Sequence, residues 1–402
     1  MTSGASLLSA VPESVGVSSA RLARIPLALQ ALVDAGQLPG AVVAITRRGR
    51  LIFHEAVGFL TPERTEAMRG DALFAIASMT KPIAGVAALM LLEEGKLTLS
   101  DPVEAFLPSL GKRVVAVLDD SGRIKATEPA RRSISILDLM RHTSGLPYGG
   151  RGNSAVHAMY PASSNAAGAG MDAAAFLDRL AAAPLLHQPG TVWEYGLSID
   201  VIGLIVETLS GKSLGAFLEE RLFGPLGMVD TSFQVPADKS GRVAKALAND
   251  PDTGAPQAVP DRTKALRFEC GGGGLASTTL DYMKFAQMLL NGGVLGDVRI
   301  LGPATVAAMA SNRLTPEIDN RMTALDPNLE GWGFGLTVAV TERPSVLLGG
   351  AGSFSWTGAY GTLWWADPAE DLAVVFMSQV PGEQRRRYRT LVNGLVYQAL
   401  VD

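Results

Sequence analysis

The chain carries a single cysteine, Cys270, and only four histidines, His54, His142, His157 and His187, in 402 residues. One thiol excludes an internal disulfide framework. Neither residue type falls in a metal-ligand spacing, so no metal and no other cofactor is expected. Charge is scarce as well, at 18% of residues with a net charge of -4, which argues against the basic face that a nucleic-acid partner requires. No apolar run approaches the ~18 uninterrupted residues of a membrane-spanning helix. The stretch MTSGASLLSAVPESVGVS has no cationic start and no apolar core of signal-peptide length, so it is read as unprocessed and the expected location is the cytoplasm.

Apolar residues, by contrast, make up 47% of the chain, the composition of a globular protein with ample core. At roughly 100 to 200 residues per domain, this length suggests two domains or one with a large insertion. Leu22, Ile25, Leu29, Leu32 and Val33 recur at helical spacing. Ala41 to Thr46 and Leu51 to Val57 read as a hairpin around Gly49. Helical runs separated by loops fill the middle: Ile134 to His142, Ala173 to Ala183, Ile199 to Leu209 and Leu214 to Leu222. Gly145 to Gly170 reads as a loop too long for a mere connector. Strand character returns at Gly335 to Val340, Ser345 to Leu348, Tyr360 to Trp365 and Leu372 to Ser378, before a closing helix from about Gln384 to Leu400. The expected fold is therefore α+β. Residues 1–100 and 265–402 form a discontinuous domain with an antiparallel sheet flanked by helices, and 101–264 form an inserted, mainly helical domain.

The chemistry is concentrated in Ala77-Ser78-Met79-Thr80-Lys81-Pro82. Residues three apart on a helix share a face, so Lys81 can reach the Ser78 hydroxyl, a weak nucleophile that needs a neighbouring base. Pro82 is tolerable because it lies in the first turn, and Gly95 is the expected stop. Two further motifs are Tyr195-Gly196-Leu197-Ser198, just before a helix, and Trp356-Thr357-Gly358-Ala359, expected at the entry of a late strand.

A Ser-x-x-Lys, a Tyr-x-x and a Lys-Thr-Gly-like triplet in this order resemble the serine β-lactamases and penicillin-binding proteins. The chain is most similar to their esterase branch, the family VIII carboxylesterases, with which it also shares LPGAVVAITRRGRLIF, LMRHTSGLP, FGPLGM and GGGGLAST. The resemblance implies a class C β-lactamase fold and an acyl-enzyme on Ser78, with Lys81 and Tyr195 sharing its proton. It also implies an oxyanion hole made by the backbone N–H groups of Ser78 and Ala359. Free lysine and tyrosine titrate near ~10.4 and ~10, so one of the two must be perturbed, and the sequence leaves open which is the base.

Two departures narrow the substrate. Leu197 stands where the lactamase pattern has Asn, and Trp356 where it has Lys. Both remove polar contacts, so they are expected, with Tyr148 and Gly358, to contact a small, largely apolar ester. An acyltransferase of the same fold is the nearest alternative, followed by a weak β-lactamase or D-peptidase and a non-catalytic binding protein. Gly211-Lys212-Ser213-Leu214-Gly215 mimics a nucleophile elbow, but no histidine follows His187 to complete that triad; Ser213 is read as a helix cap. Gly271 to Gly274 is expected to let the backbone pass close to the site, His142 to hold a turn, and Arg385 to Arg387 to be the wet face of the last helix.

Overall fold

Two segments far apart in sequence build the central sheet. The computed structural model describes residues 6–402; Met1 to Ala5, the start of the N-terminal stretch read above, lie outside the described residues. The strands are β1 (Leu8–Ser9), β2 (Gly40–Arg47), β3 (Arg50–Gly58), β4 (Trp332–Phe334), β5 (Ala339–Thr341), β6 (Phe354–Thr357), β7 (Leu363–Asp367) and β8 (Leu372–Ser378). They lie in the order β1-β3-β2-β8-β7-β6-β5-β4. Within this sheet, among the described residues, only β1 and β3 pair in parallel. The junction between the segments runs from Ser378 opposite Ala41 to Leu372 opposite Arg47.

Successive strand residues point to opposite faces, and here the alternation divides two cores. Val42, Ala44, Val375 and Met377 face one; Ala41, Val43, Ile45, Val374 and Phe376 face the other. The second core is closed by Ile25, Leu29 and Val33 of the helix Arg24–Asp34 and by Tyr388, Val392 and Val396 of the helix Gln384–Tyr397. The helix Thr279–Leu290 packs on the first face through Tyr282, Met283 and Phe285. With both faces covered, the central strands are buried throughout.

The helix Thr80–Glu93 runs through the interior, with every residue from Thr80 to Leu91 buried. Gly95, in the left-handed region at φ 69°, ends it. Among the described residues, 101–264 give no strand to the large sheet. That region carries the helices Ile136–Met140, Ala173–Ala182, Ser198–Ser210 and Leu214–Leu218. Ser213 caps the last of these by accepting the Ala216 N–H at 3.2 Å.

Five expectations need correction. A hairpin, Val114–Leu118 with Ile124–Pro129, interrupts the helical region. Its second strand is exposed along its whole length and so carries no apolar alternation to read. Gly145 to Gly170 is not one loop: it holds the helices Ala155–Met159 and Ser164–Gly170, capped by Ser154 and Ser163. Ser345 to Leu348 forms no strand. Arg385 to Arg387 are not all wet: Arg385 and Arg386 are half-buried and only Arg387 is exposed. Finally, Trp356 and Thr357 close β6, so the Trp-Thr-Gly-Ala motif lies at a strand's exit rather than its entry.

Candidate active site

Ala77 adopts a left-handed conformation at φ 46°, which costs an alanine roughly 1 to 2 kcal/mol. It turns the chain so that Ser78, in the helical turn Ala77–Met79, opens the long helix with its side chain partly exposed. One turn on, Lys81 is wholly buried. Its Nζ lies 3.4 Å from Ser78 Oγ, 2.9 Å from Tyr148 Oη and 2.6 Å from the Gly272 carbonyl.

The pattern continues inward. Tyr148 Oη is 2.6 Å from Ser164 Oγ, and Ser164 donates to Asp200 Oδ2 at 2.7 Å, while the Gly272 N–H reaches Asp200 Oδ1 at 3.0 Å. Proton counting then orients the chain. Ser164 spends its one proton on Asp200, so Tyr148 donates to Ser164 and accepts from Lys81. Three N–H groups on Nζ thus meet three acceptors, and the resting state is a Lys81 ammonium joined to a buried Asp200 carboxylate through two hydroxyls. Burial works against the Lys81 charge, but Tyr148, Tyr195 and Asp200 outweigh it and hold the pKa above the usual lysine value. Burial pushes the Tyr148 phenol up and keeps it protonated, and it pushes Asp200 up as well, partly offset by Lys81.

Glycine is required where this chain crosses the backbone. A Cβ on Gly272 would fall 2.2 Å from Ser164 Oγ and 2.5 Å from Asp200 Oδ2, which accounts for the close passage expected of the Gly271 to Gly274 run. Gly358 has a similar role. Its Cβ would meet the Ile76 carbonyl at 2.4 Å, so the residue lets the end of β6 dock beside Ser78, and it lines the recess next to that serine. Ala359 follows. No acceptor is paired with the N–H of Ser78 or Ala359 among the described residues, and both residues line the same cavity, which fits the oxyanion assignment.

Tyr195 is buried, its ring centroid 4.7 Å from Lys81 Nζ and 4.8 Å from the His142 ring. His142 is held neutral, its pKa pushed well below the usual value by burial and then by Lys81. Trp356 does more than offer an apolar wall: its indole N–H donates to Tyr195 Oη at 3.2 Å. That bond fixes where the Tyr195 oxygen sits. We expect Trp356→Phe, which keeps the ring packing, to lower kcat about tenfold. A loss in KM alone would show that the N–H has no part in the chemistry.

A cavity of about 670 Å³ opens on Ser78, walled by Tyr148, Arg151, Ser164, Asn165, Tyr195 and Tyr360. A smaller recess of about 70 Å³ continues past Trp356 toward the closing helix. Leu197, expected to touch substrate, lines neither: it is fully buried in the core at the start of the helix Ser198–Ser210. Tyr148 does line the larger cavity, although its hydroxyl is taken up by Lys81 and Ser164. Sequence reasoning missed Ser164 and Asp200. The only sign of the latter was an acid in the first turn of a helix whose residues from Ile199 to Val206 are otherwise apolar or glycine.

This sheet, with a serine opening the helix that crosses the interior and a buried lysine beneath it, defines a serine hydrolase of the β-lactamase and transpeptidase-like fold. The chain belongs to the family described as Beta-lactamase, whose profile matches residues 27–398. It is 41% identical over 359 residues to protein Rv1367c of Mycobacterium tuberculosis, covering 87% of this chain and 88% of that one. Esterase EstB of Burkholderia gladioli is 29% identical over 394 residues, covering 92% and 94%. Among solved structures, EstCE1, described as a hydrolase with promiscuous acyltransferase activity, superposes with a TM-score of 0.78 at 26% identity, covering 94% of this chain and 99% of that one. The relatives support serine ester hydrolase or acyltransferase activity.

Proposed function

We propose that the protein hydrolyses carboxylic esters through an acyl-enzyme on Ser78. The observation that carries this reading is the Lys81 ammonium, buried and fully hydrogen-bonded at 3.4 Å from Ser78 Oγ, with Ser78 itself lining a cavity shared with Tyr195 and Ala359. A resting ammonium cannot accept a proton, so the base is assigned to Tyr195, reacting in the form from which its own proton has already left to solvent, with the Lys81 charge 4.7 Å from its ring. Ser78 Oγ attacks the carbonyl carbon as its proton passes to Tyr195, and the carbonyl oxygen becomes an oxyanion before the N–H groups of Ser78 and Ala359. The C–O bond to the alcohol then breaks and Tyr195 returns the proton to the leaving oxygen. Water, activated in the same way, releases the acid.

Transfer of the acyl group to an acceptor alcohol is the second reading, favoured by the structural likeness to EstCE1. The indole of Trp356 in place of a lysine disfavours a β-lactamase or D-peptidase.

The test is a stopped-flow burst with p-nitrophenyl acetate, followed by acid quench and peptide mass analysis. An acetyl group on the peptide containing Ser78 is expected. Turnover without any adduct there, or no turnover, would overturn the reading, and a rise in p-nitrophenol release with added butanol, with butyl acetate as product, would select transfer.

A further inference from the structure

Besides Lys81, a second cation is buried one residue back from the wall of the larger cavity. Arg262 is 2% exposed and has no ion pair among the described residues. Asp261, next to it in sequence, lies instead 3.8 Å from Lys264. Burial lowers the Arg262 pKa, with Cys270 and Tyr360 acting against it. Burying an unneutralised guanidinium is costly, so the groups it holds in return deserve a count of their protons.

Arg262 Nη2 donates to Asn165 Oδ1 and, at 3.2 Å, to the Gly273 carbonyl. A guanidinium can only donate, which turns the amide oxygen of Asn165 toward Arg262 and its nitrogen toward Tyr360. Asn165 Nδ2 then donates to Tyr360 Oη at 3.0 Å. The phenol oxygen is the acceptor in that bond, so its own proton is not spent on Asn165. No acceptor is paired with that proton among the described residues. Burial pushes the phenol up to about 12, against the pull of Arg262, and the proton is therefore present at neutral pH.

Asn165 and Tyr360 both wall the cavity, in company with Ser78 and Ala359, and no acidic side chain among the described residues does so. Packing accounts for the half-buried Tyr360 ring, and the Arg262 bonds tie the Gly271 to Gly274 run to the helix Ser164–Gly170. Packing does not account for the direction of the chain. Three donors in series, N–H, N–H and O–H, run outward from a buried charge, each polarising the next, and the last meets nothing in the protein. An acceptor atom on a bound molecule completes it, where an apolar one leaves the hydroxyl unmatched.

We propose that the Tyr360 hydroxyl selects ester substrates carrying a further acceptor oxygen, of ether, hydroxyl or carbonyl type, on the acyl or the alcohol part, and that Arg262 sets the direction of this donor through Asn165. The proposal rests on the ester-hydrolase reading and amends the expectation of a largely apolar substrate. Tyr360 touches the substrate; Asn165 and Arg262 are positioning residues.

The experiment uses two isosteric pairs in which an ether oxygen replaces one methylene. On the acyl side p-nitrophenyl methoxyacetate is set against p-nitrophenyl butyrate; on the alcohol side 2-methoxyethyl acetate is set against butyl acetate. Within each pair kcat/KM of the ether is divided by that of its hydrocarbon partner, and the wild-type ratio is divided by the ratio in Tyr360→Phe, which cancels the intrinsic reactivity of the esters. In at least one pair this double ratio is expected to be about fivefold or more, the range of one hydrogen bond. Asn165→Asp tests the direction of the chain. A carboxylate accepts from both neighbours, so the Tyr360 proton turns back to it, and the preference for the ether should fall as in Tyr360→Phe although ring, oxygen and cavity are all kept. A smaller double ratio in both pairs, or a preference in Asn165→Asp equal to that of the wild type, would overturn the proposal while leaving ester hydrolysis intact. Absence of turnover on all four esters, with no adduct on Ser78, would instead remove the ester-hydrolase reading itself.

Discussion

Ser78→Ala should lower kcat/KM for p-nitrophenyl acetate by about ten-thousand-fold or more, to the level of residual binding and oxyanion stabilisation. The side chain proposed to form the acyl bond is gone, while the backbone N–H groups of residues 78 and 359 and the cavity walls remain. Stability should hardly change, because the Oγ makes one long contact, 3.4 Å to Lys81. The useful comparison is Ser213→Ala. Ser213 also sits in a nucleophile-like motif, but its hydroxyl caps a helix, so about 1 kcal/mol of stability should be lost with esterase activity retained. A steady-state assay and a urea titration of the two variants separate these outcomes. Reversal of the pattern, with Ser78→Ala active and Ser213→Ala inactive, would show that the wrong serine has been assigned.

Asp200→Asn should cost about 3 kcal/mol, because it strips a buried ammonium of its counter-ion, and should lower kcat about a hundredfold through Lys81 and Tyr195. The pH dependence gives the sharper signature. In the native protein Lys81 is raised above its ordinary value of 10.5, so the stabilisation it contributes is complete below that value and is lost as pH rises through the folded pKa. Between about pH 6 and about pH 9.5 it adds no slope. Without Asp200 burial is less opposed and the folded pKa of Lys81 moves down, so the alkaline loss of stability begins at lower pH than in the native protein. Urea midpoints followed from about pH 7 to about pH 11 test this: parallel profiles for the two proteins would show that Asp200 does not hold the Lys81 charge.

The parts of the site legible in the sequence were those set by local geometry. Ser78 and Lys81 are three residues apart, which a helix converts into proximity whatever surrounds it. Tyr195 and the Trp-Thr-Gly-Ala run were legible as an ordered set. The hairpin Gly40–Arg47 with Arg50–Gly58 and the last strand, Leu372–Ser378, showed in runs of β-branched residues bounded by turn signals. Leu197 was misread because its place in a motif does not say which way its side chain turns. The fold sends it into the core. Arg385 and Arg386 were misread for the opposite reason: the helix period gives their phase but not what packs over them.

By itself, then, the sequence determined that Ser78 and Lys81 meet on one helix face and the class of fold, since helix spacing and strand alternation are properties of neighbouring residues. Only the tertiary structure decided the charge on Lys81 and the polar role of Trp356. The partners that hold the lysine as an ammonium, Tyr148 and Gly272, lie 67 and 191 residues away. Trp356 and Tyr195 are separated by 161. A protonation state depends on which groups are brought within hydrogen-bonding distance and how much water is removed from them, and both are fixed by the packing of distant segments.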